Sequence, residues 1–152
     1  MVSPLLRALD QVSFNFLISC ELPNKRIKLG IGIGKSTAIA FAQQGVRGLA
    51  LLDHNSQVLE RTYSQLKTQF PNIEARKLEA DVSDESSVKN AVNKTIQEFG
   101  RIDFAVNCAG VGCSHNQTHE MPLEEWQRVI NINQTGVWIC QKSLIQQMLQ
   151  QE

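Results

Sequence analysis

Short apolar runs that end on an acid, each followed by a stretch of helical period, organise the middle of this chain. Leu49 to Leu52 is apolar at every position and closes at Asp53. Ile73 to Ala80 alternates and closes at Asp81, and Ile102 to Val106 is a further apolar run, followed instead by Asn107 and a loop of small and polar residues. A strand that is apolar on both faces needs cover on both, which a parallel sheet between two helix layers supplies. Val58, Leu59, Tyr63, Leu66 and Phe70 recur at helical spacing until Pro71 stops them. Val88, Val92, Ile96 and Phe99 do the same until Gly100, behind a cap expected at Ser83 with Asp84 and Glu85 in the first turn. Upstream, Lys35 to Gln44 is Ala-rich and stops at Gly45; downstream, Pro122 opens a helical pattern that runs past Gly136 nearly to the end. Strands alternating with helices of this length imply right-handed βαβ units. The expected fold is a Rossmann-like, doubly wound α/β domain with a parallel sheet of about four strands.

The segment before this pattern is different. Met1 to Ile27 shows no clean period and contains the Pro-bearing turn "ELPNKR", with Val12 to Ser19 as a candidate strand. It is therefore set apart as an irregular segment, 1–29, from an ordered unit over 30–152.

Charge narrows the possible partners. Fifteen Lys and Arg balance fifteen Asp and Glu, so no basic face for nucleic acid is expected. No apolar run reaches the length of a bilayer span, and no basic segment precedes the apolar patch Phe14 to Ile18. Cys20, Cys108, Cys113 and Cys140 are scattered without a paired framework, as in a reducing compartment, and a cytoplasmic location is the expectation.

The candidate ligand site begins at "LGIGIGKSTAIAFAQQG", Leu29 to Gly45. Glycines before a helix let its unpaired N–H groups approach a phosphate. The pattern G-x-G-x-x-G fails here, because Lys35 stands where the last glycine belongs. Gly34-Lys35-Ser36 matches the end of a P-loop, but the first glycine of that motif would fall on Leu29, so a nucleotide triphosphatase remains the lesser alternative. Asp53 lies nineteen residues beyond Gly34, where dinucleotide-binding folds place the acid that holds the adenosine ribose hydroxyls. A carboxylate there repels a 2′-phosphate and points to NAD rather than NADP.

Four landmarks in order carry a family resemblance. Gly30, Gly32, Ile33 and Gly34 fit the second half of a T-G-x-x-x-G-x-G loop, although Ile27 and Lys28 stand where Thr and the first Gly would be. "EADVSD" closes the run Ile73 to Ala80, "VNCAGV" the run Ile102 to Val106, and "EEWQRVININQTGVW" comes after the loop beyond it. From Gly30 to about Gln150 the chain resembles the short-chain dehydrogenase/reductase family. The resemblance implies an NAD(P)-dependent oxidoreductase that moves a hydride between nicotinamide and an alcohol or ketone. It implies that Asp81 and Val82 contact adenine and that Asn107, Ala109 and Gly110 line the cofactor. Asn133 takes the place of the family's active-site Asn, which helps to hold a proton-relay water.

The family's Ser, Tyr and Lys have no counterpart after Asn133, so these residues by themselves are expected to be catalytically incomplete. Tyr63-Ser64-Gln65-Leu66-Lys67 reads Y-x-x-x-K, but it lies between the second and third strands, and packing is its simpler role. Cys108, Cys113, His115 and His119 are too tightly spaced for a usual zinc site, and no metal is expected. A non-catalytic dinucleotide-binding or dimerising module is the alternative from another class. The last helix, with Val137, Trp138, Ile139, Leu144, Ile145, Met148 and Leu149, is expected to leave apolar surface for self-association.

Overall fold

The computed structural model describes residues 14–18, 32–112 and 117–151. Four strands form one sheet in the order β3-β2-β1-β4: β1 is Phe14–Ile18, β2 Gly48–Asp53, β3 Glu74–Glu79 and β4 Phe104–Val106. All three pairings are parallel. The helices are α1 (Ile33–Gln43), α2 (Ser56–Gln69), α3 (Glu85–Phe99), α4 (Leu123–Ile130) and α5 (Gly136–Met148). This is the doubly wound α/β arrangement expected from the alternation of runs.

The apolar run of β2 explains its own composition. Every one of its residues is buried. Ala50 and Leu52 join a core with Val88, Val92 and Phe99 of α3 and with Ile139, Cys140 and Leu144 of α5. Leu49 and Leu51 turn the other way, onto Ala38 and Ala42 of α1 and Leu59 and Leu66 of α2. Alternate side chains of one strand thus build two cores, each buried Leu contributing about 1.5–3 kcal/mol. By contrast β3 is an edge, largely exposed and charged, with Arg76 paired to Glu98 and Lys77 to Glu60. Charge on an edge discourages pairing with another chain.

Local details differ from expectation in instructive ways. The strand within Val12 to Ser19 is the centre of the sheet: Leu17 pairs with Leu51 of β2 and with Val106 of β4. Pairing on both sides supplies the order that local pattern does not announce. The cap of α3 is Asp84 rather than Ser83, its carboxylate accepting from the N–H groups of Ser86 and Ser87. Ser83 instead donates to Asp81, in a turn two residues long. Residues α4 and α5 form one helical run interrupted by a π-type turn at Asn131–Thr135, where the N–H of Gly136 reaches back to the carbonyl of Asn131. Gly45 and Gly100 have φ of 78° and 85°, a left-handed backbone that glycine accepts without strain.

On α5, Ile139 and Leu144 do not join the outward surface expected of them; they are buried against α3. Trp138, Ile145 and Leu149 keep the outer face, with Leu149 81% exposed. No helix among the described residues is long and apolar enough to cross a membrane.

Candidate functional site

The carboxyl ends of β2, β3 and β4 open onto a cleft of about 140 Å³. Asp53 and His54 come from the end of β2, Ala80, Asp81 and Val82 from the end of β3. Ala109, Gly110 and Val111 come from the loop after β4, and Arg128 and Ile132 from α4 and the turn beyond it. Ligands of open parallel sheets bind at this end, where successive crossovers leave a crevice.

Asp53 is the most constrained group in the cleft. It is 2% exposed, and its Oδ1 accepts from the N–H of Asn55 at 2.9 Å, with Nδ1 of His54 at 3.3 Å. Its Oδ2 is buried and has no hydrogen-bond partner among the described residues. An unsatisfied buried acceptor costs about 1–3 kcal/mol, more when charged, and such a cost at a cleft marks a place where a donor belongs.

Asp81 is held differently. Its Oδ1 accepts from the backbone N–H and the hydroxyl of Ser83, at 2.8 and 2.7 Å, and its own N–H donates to Oγ of Ser87. Those bonds fix the corner after β3 and so aim Val82, itself buried, into the cleft wall. Gly136 packs under that corner: a Cβ there would stand 2.8 Å from Cγ2 of Val82 and 3.2 Å from its carbonyl oxygen. Any larger residue must push the corner outward.

The loop after β4 is tied to the helical side by Asn133. Its Oδ1 accepts from the N–H of Val111 at 2.8 Å and its Nδ2 donates to the carbonyl of the same residue at 2.9 Å. Arg128 adds a bond to the carbonyl of Gly112 at 3.1 Å. Asn107, earlier in that loop, has a buried Oδ1 with no partner among the described residues.

The glycine loop is only partly in view, since Gly30 lies outside the described residues. Gly32 is extended and caps α1 without a side-chain bond, Ile33 is 72% exposed and Gly34 is buried. None of these three lines the cleft, and neither do Asn107 and Asn133. His54, Arg128 and Ile132 do, and sequence reasoning passed over them. Adjacency to Asp53 could have flagged His54, and one helical turn separates Arg128 from Ile132.

Tyr63 and Lys67 have other work. Tyr63 packs with the core of α1 and α2 beneath Lys77, whose Nζ lies 4.7 Å from the ring centre. Lys67 donates to the carbonyls of Pro71 and Ile73, at 2.7 and 2.8 Å, closing the end of α2. Of the four Cys and His weighed as metal ligands, Cys113 and His115 lie outside the described residues. Cys140 is a core residue whose burial pushes its thiol up to about 12, so it stays protonated and inert.

Comparison with known proteins agrees with this architecture. The model of the short chain dehydrogenase family matches residues 29–152. The short-chain dehydrogenase srdC of Neurospora crassa is 37% identical over 116 residues, covering 74% of this chain and 43% of the relative. The levodione reductase of Leifsonia aquatica is 34% identical, over 80% of this chain and 45% of its own. Among solved structures, NAD+-bound xylitol dehydrogenase superposes with a TM-score of 0.74 at 31% identity, over 90% of this chain and 49% of that one. The chain thus spans about half the length of the curated relatives it matches. It belongs to the short-chain dehydrogenase family of oxidoreductases and carries the Rossmann half of that fold, with a parallel sheet covered on both faces.

Proposed function

We propose that residues 30–152, with β1 in their sheet, are the cofactor-binding half of an NAD-dependent oxidoreductase acting on an alcohol or ketone. The observation that carries this reading is the buried, unpartnered Oδ2 of Asp53 at the edge of the cleft. A ribose 2′,3′-diol offers hydroxyl donors to the oxygen that has none, while a 2′-phosphate would meet like charge. That chemistry supports NAD over NADP.

The residues present fit the adenosine end of such a dinucleotide. Asp53 would hold the ribose hydroxyls, and Asp81 and Val82 would border the base. Gly32, Ile33 and Gly34, at the start of α1, would offer backbone N–H groups to the pyrophosphate, with Gly30 two residues earlier in the sequence as a further candidate. Asn107, Ala109 and Gly110 would let the molecule pass close to the backbone, and Asn133 would steady that passage through Val111. When bound, the nicotinamide supplies the hydride donor or acceptor. Proton transfer in such a reaction would draw on a Ser, Tyr and Lys set, which these residues do not supply after Asn133. Losing a positioned acid–base typically removes about 10²–10⁴-fold in rate.

Self-association through α5 belongs to the same reading, because Trp138, Ile145 and Leu149 leave an apolar face uncovered. Among the described residues Cys108 and Cys140 form no disulfide, in keeping with a cytoplasmic setting. A fluorescence titration with NADH tests the function directly. Saturable binding that Asp53→Ala weakens at least tenfold is expected. Equal binding by wild type and Asp53→Ala, or tighter binding of NADPH than NADH, overturns it.

A further inference from the structure

Arg128 stands on the wall of the cleft with no part yet assigned in ligand binding. It sits one helical turn before Ile132, and both side chains face the same space. Its guanidinium is anchored at one end by the bond to the carbonyl of Gly112. A guanidinium is planar, holds five N–H donors and stacks on aromatic faces, so one anchored nitrogen orients the whole plate. The rest of the lining is small or apolar, Ala80, Val82 and Ala109 among it, apart from Asp53, His54 and Asp81.

Size limits what can enter. At about 140 Å³ the cleft is below the roughly 300–1,000 Å³ of a complete ligand site, so it takes one ring system of a larger molecule. Small apolar walls, a flat cation and a carboxylate oxygen in want of a donor suit an electron-rich heterocycle that carries a sugar diol. We propose that Arg128 is a binding residue for the base, its guanidinium lying over the face of the purine. This rests on the cofactor reading above and adds a residue that the family landmarks do not mark.

The alternative role for Arg128 is structural, holding only the Gly112 loop. Lysine separates the two, because it retains a donor for the Gly112 carbonyl but not the plate. Wild type, Arg128→Ala and Arg128→Lys would each be titrated with AMP and with NADH by calorimetry, with circular dichroism to verify folding. Arg128→Ala is expected to weaken AMP and NADH by the same factor, about 2- to 30-fold, as loss of a cation–π contact implies. Arg128→Lys should recover only part of that loss. Bound AMP should show reduced absorbance near its ultraviolet maximum in wild type and not in either variant.

Full recovery by Arg128→Lys, or unchanged AMP affinity in Arg128→Ala, overturns the role of Arg128 while leaving the cofactor reading intact. Failure of wild type to bind NADH at all overturns both.

Discussion

The side-chain amide of Asn133 grips both the N–H and the carbonyl of Val111, at 2.8 and 2.9 Å. One side chain thereby does what a neighbouring strand would do for an unpaired residue. The π-type turn Asn131–Thr135 sets Asn133 in place for it, a known use of such turns near functional sites. Removing it with Asn133→Ala gives up two hydrogen bonds, each worth about 0.5–1.5 kcal/mol. Urea unfolding should show a loss of about 1–2 kcal/mol, and NADH should bind more weakly because the loop after β4 is released. Equal midpoints for variant and wild type would mean that the loop is held by other contacts.

Asp53 sets function against stability. Asp53→Asn retains an oxygen for the N–H of Asn55 and removes a buried charge that is short of partners. Without ligand the variant should be at least as stable as wild type, since buried unpaired charge is costly. Its affinity for NADH should nevertheless fall about 10- to 100-fold, as expected for a lost charged hydrogen bond of about 1.5–3 kcal/mol. Thermal melts with and without NADH read both effects. A variant less stable than wild type without ligand would show that Asp53 serves the fold rather than the ligand.

Two glycines should both lose stability on change to Ala, but only one of them should lose NADH affinity. At Gly136 the added Cβ meets Val82, side chain and backbone, within 3.2 Å. The strain should cost about 1–3 kcal/mol and move the corner that walls the cleft, so stability and NADH affinity fall together. At Gly45 a Cβ has open space, but φ is +78°. That backbone should cost Ala about 1–2 kcal/mol and leave NADH affinity unchanged. Parallel losses of affinity in both variants would disconnect Gly136 from the cleft.

Acid should weaken the contact between α3 and α5. Lys142 donates to Glu85 at 2.8 Å, and that bond, with the charge beside it, holds the Glu85 carboxyl below the usual carboxylate range. Hydrogen bonds from Ser86 lower Asp84 in the same direction. A group whose folded pKa is depressed stabilises fully above its unfolded value, near 4, and loses that contribution as pH falls through the folded value. Urea midpoints followed from pH 7 down to about 3 should therefore drop most steeply below about pH 4.5. Glu85→Gln should flatten part of that drop and have little effect on the slope at neutral pH. An identical acid limb in Glu85→Gln would remove the pair from the account.

The outer face of α5 should govern self-association. Trp138, 57% exposed, and Ile145 lie on it without cover among the described residues. Light scattering on Trp138→Glu or Ile145→Glu should show a smaller average mass than wild type at equal concentration, with unchanged NADH affinity. A monomeric wild type at high concentration would end that part of the proposal.

The alternation of apolar runs and helical periods was enough to specify the layered parallel architecture, because a strand apolar at every position has to be covered twice. Asp53, Asp81 and the small residues after β4 were legible for a similar reason: chain order puts strand ends at one edge of a parallel sheet. Other features depended on contacts between distant segments. Phe14–Ile18 lies within the candidate strand Val12 to Ser19, but its place in the interior of the sheet comes from pairing with β2 and β4. Ser83 against Asp84 as the cap of α3 was settled by which oxygen reached the free N–H groups. Arg128 and His54 entered the cleft through packing of α4 against the loop after β4 and through the turn after β2. Periodicity along a chain reports which face of an element is buried, and so the sequence determined the layers. Which groups meet across those layers depends on register, packing and turn geometry, which no local pattern encodes, and this the tertiary structure alone decided.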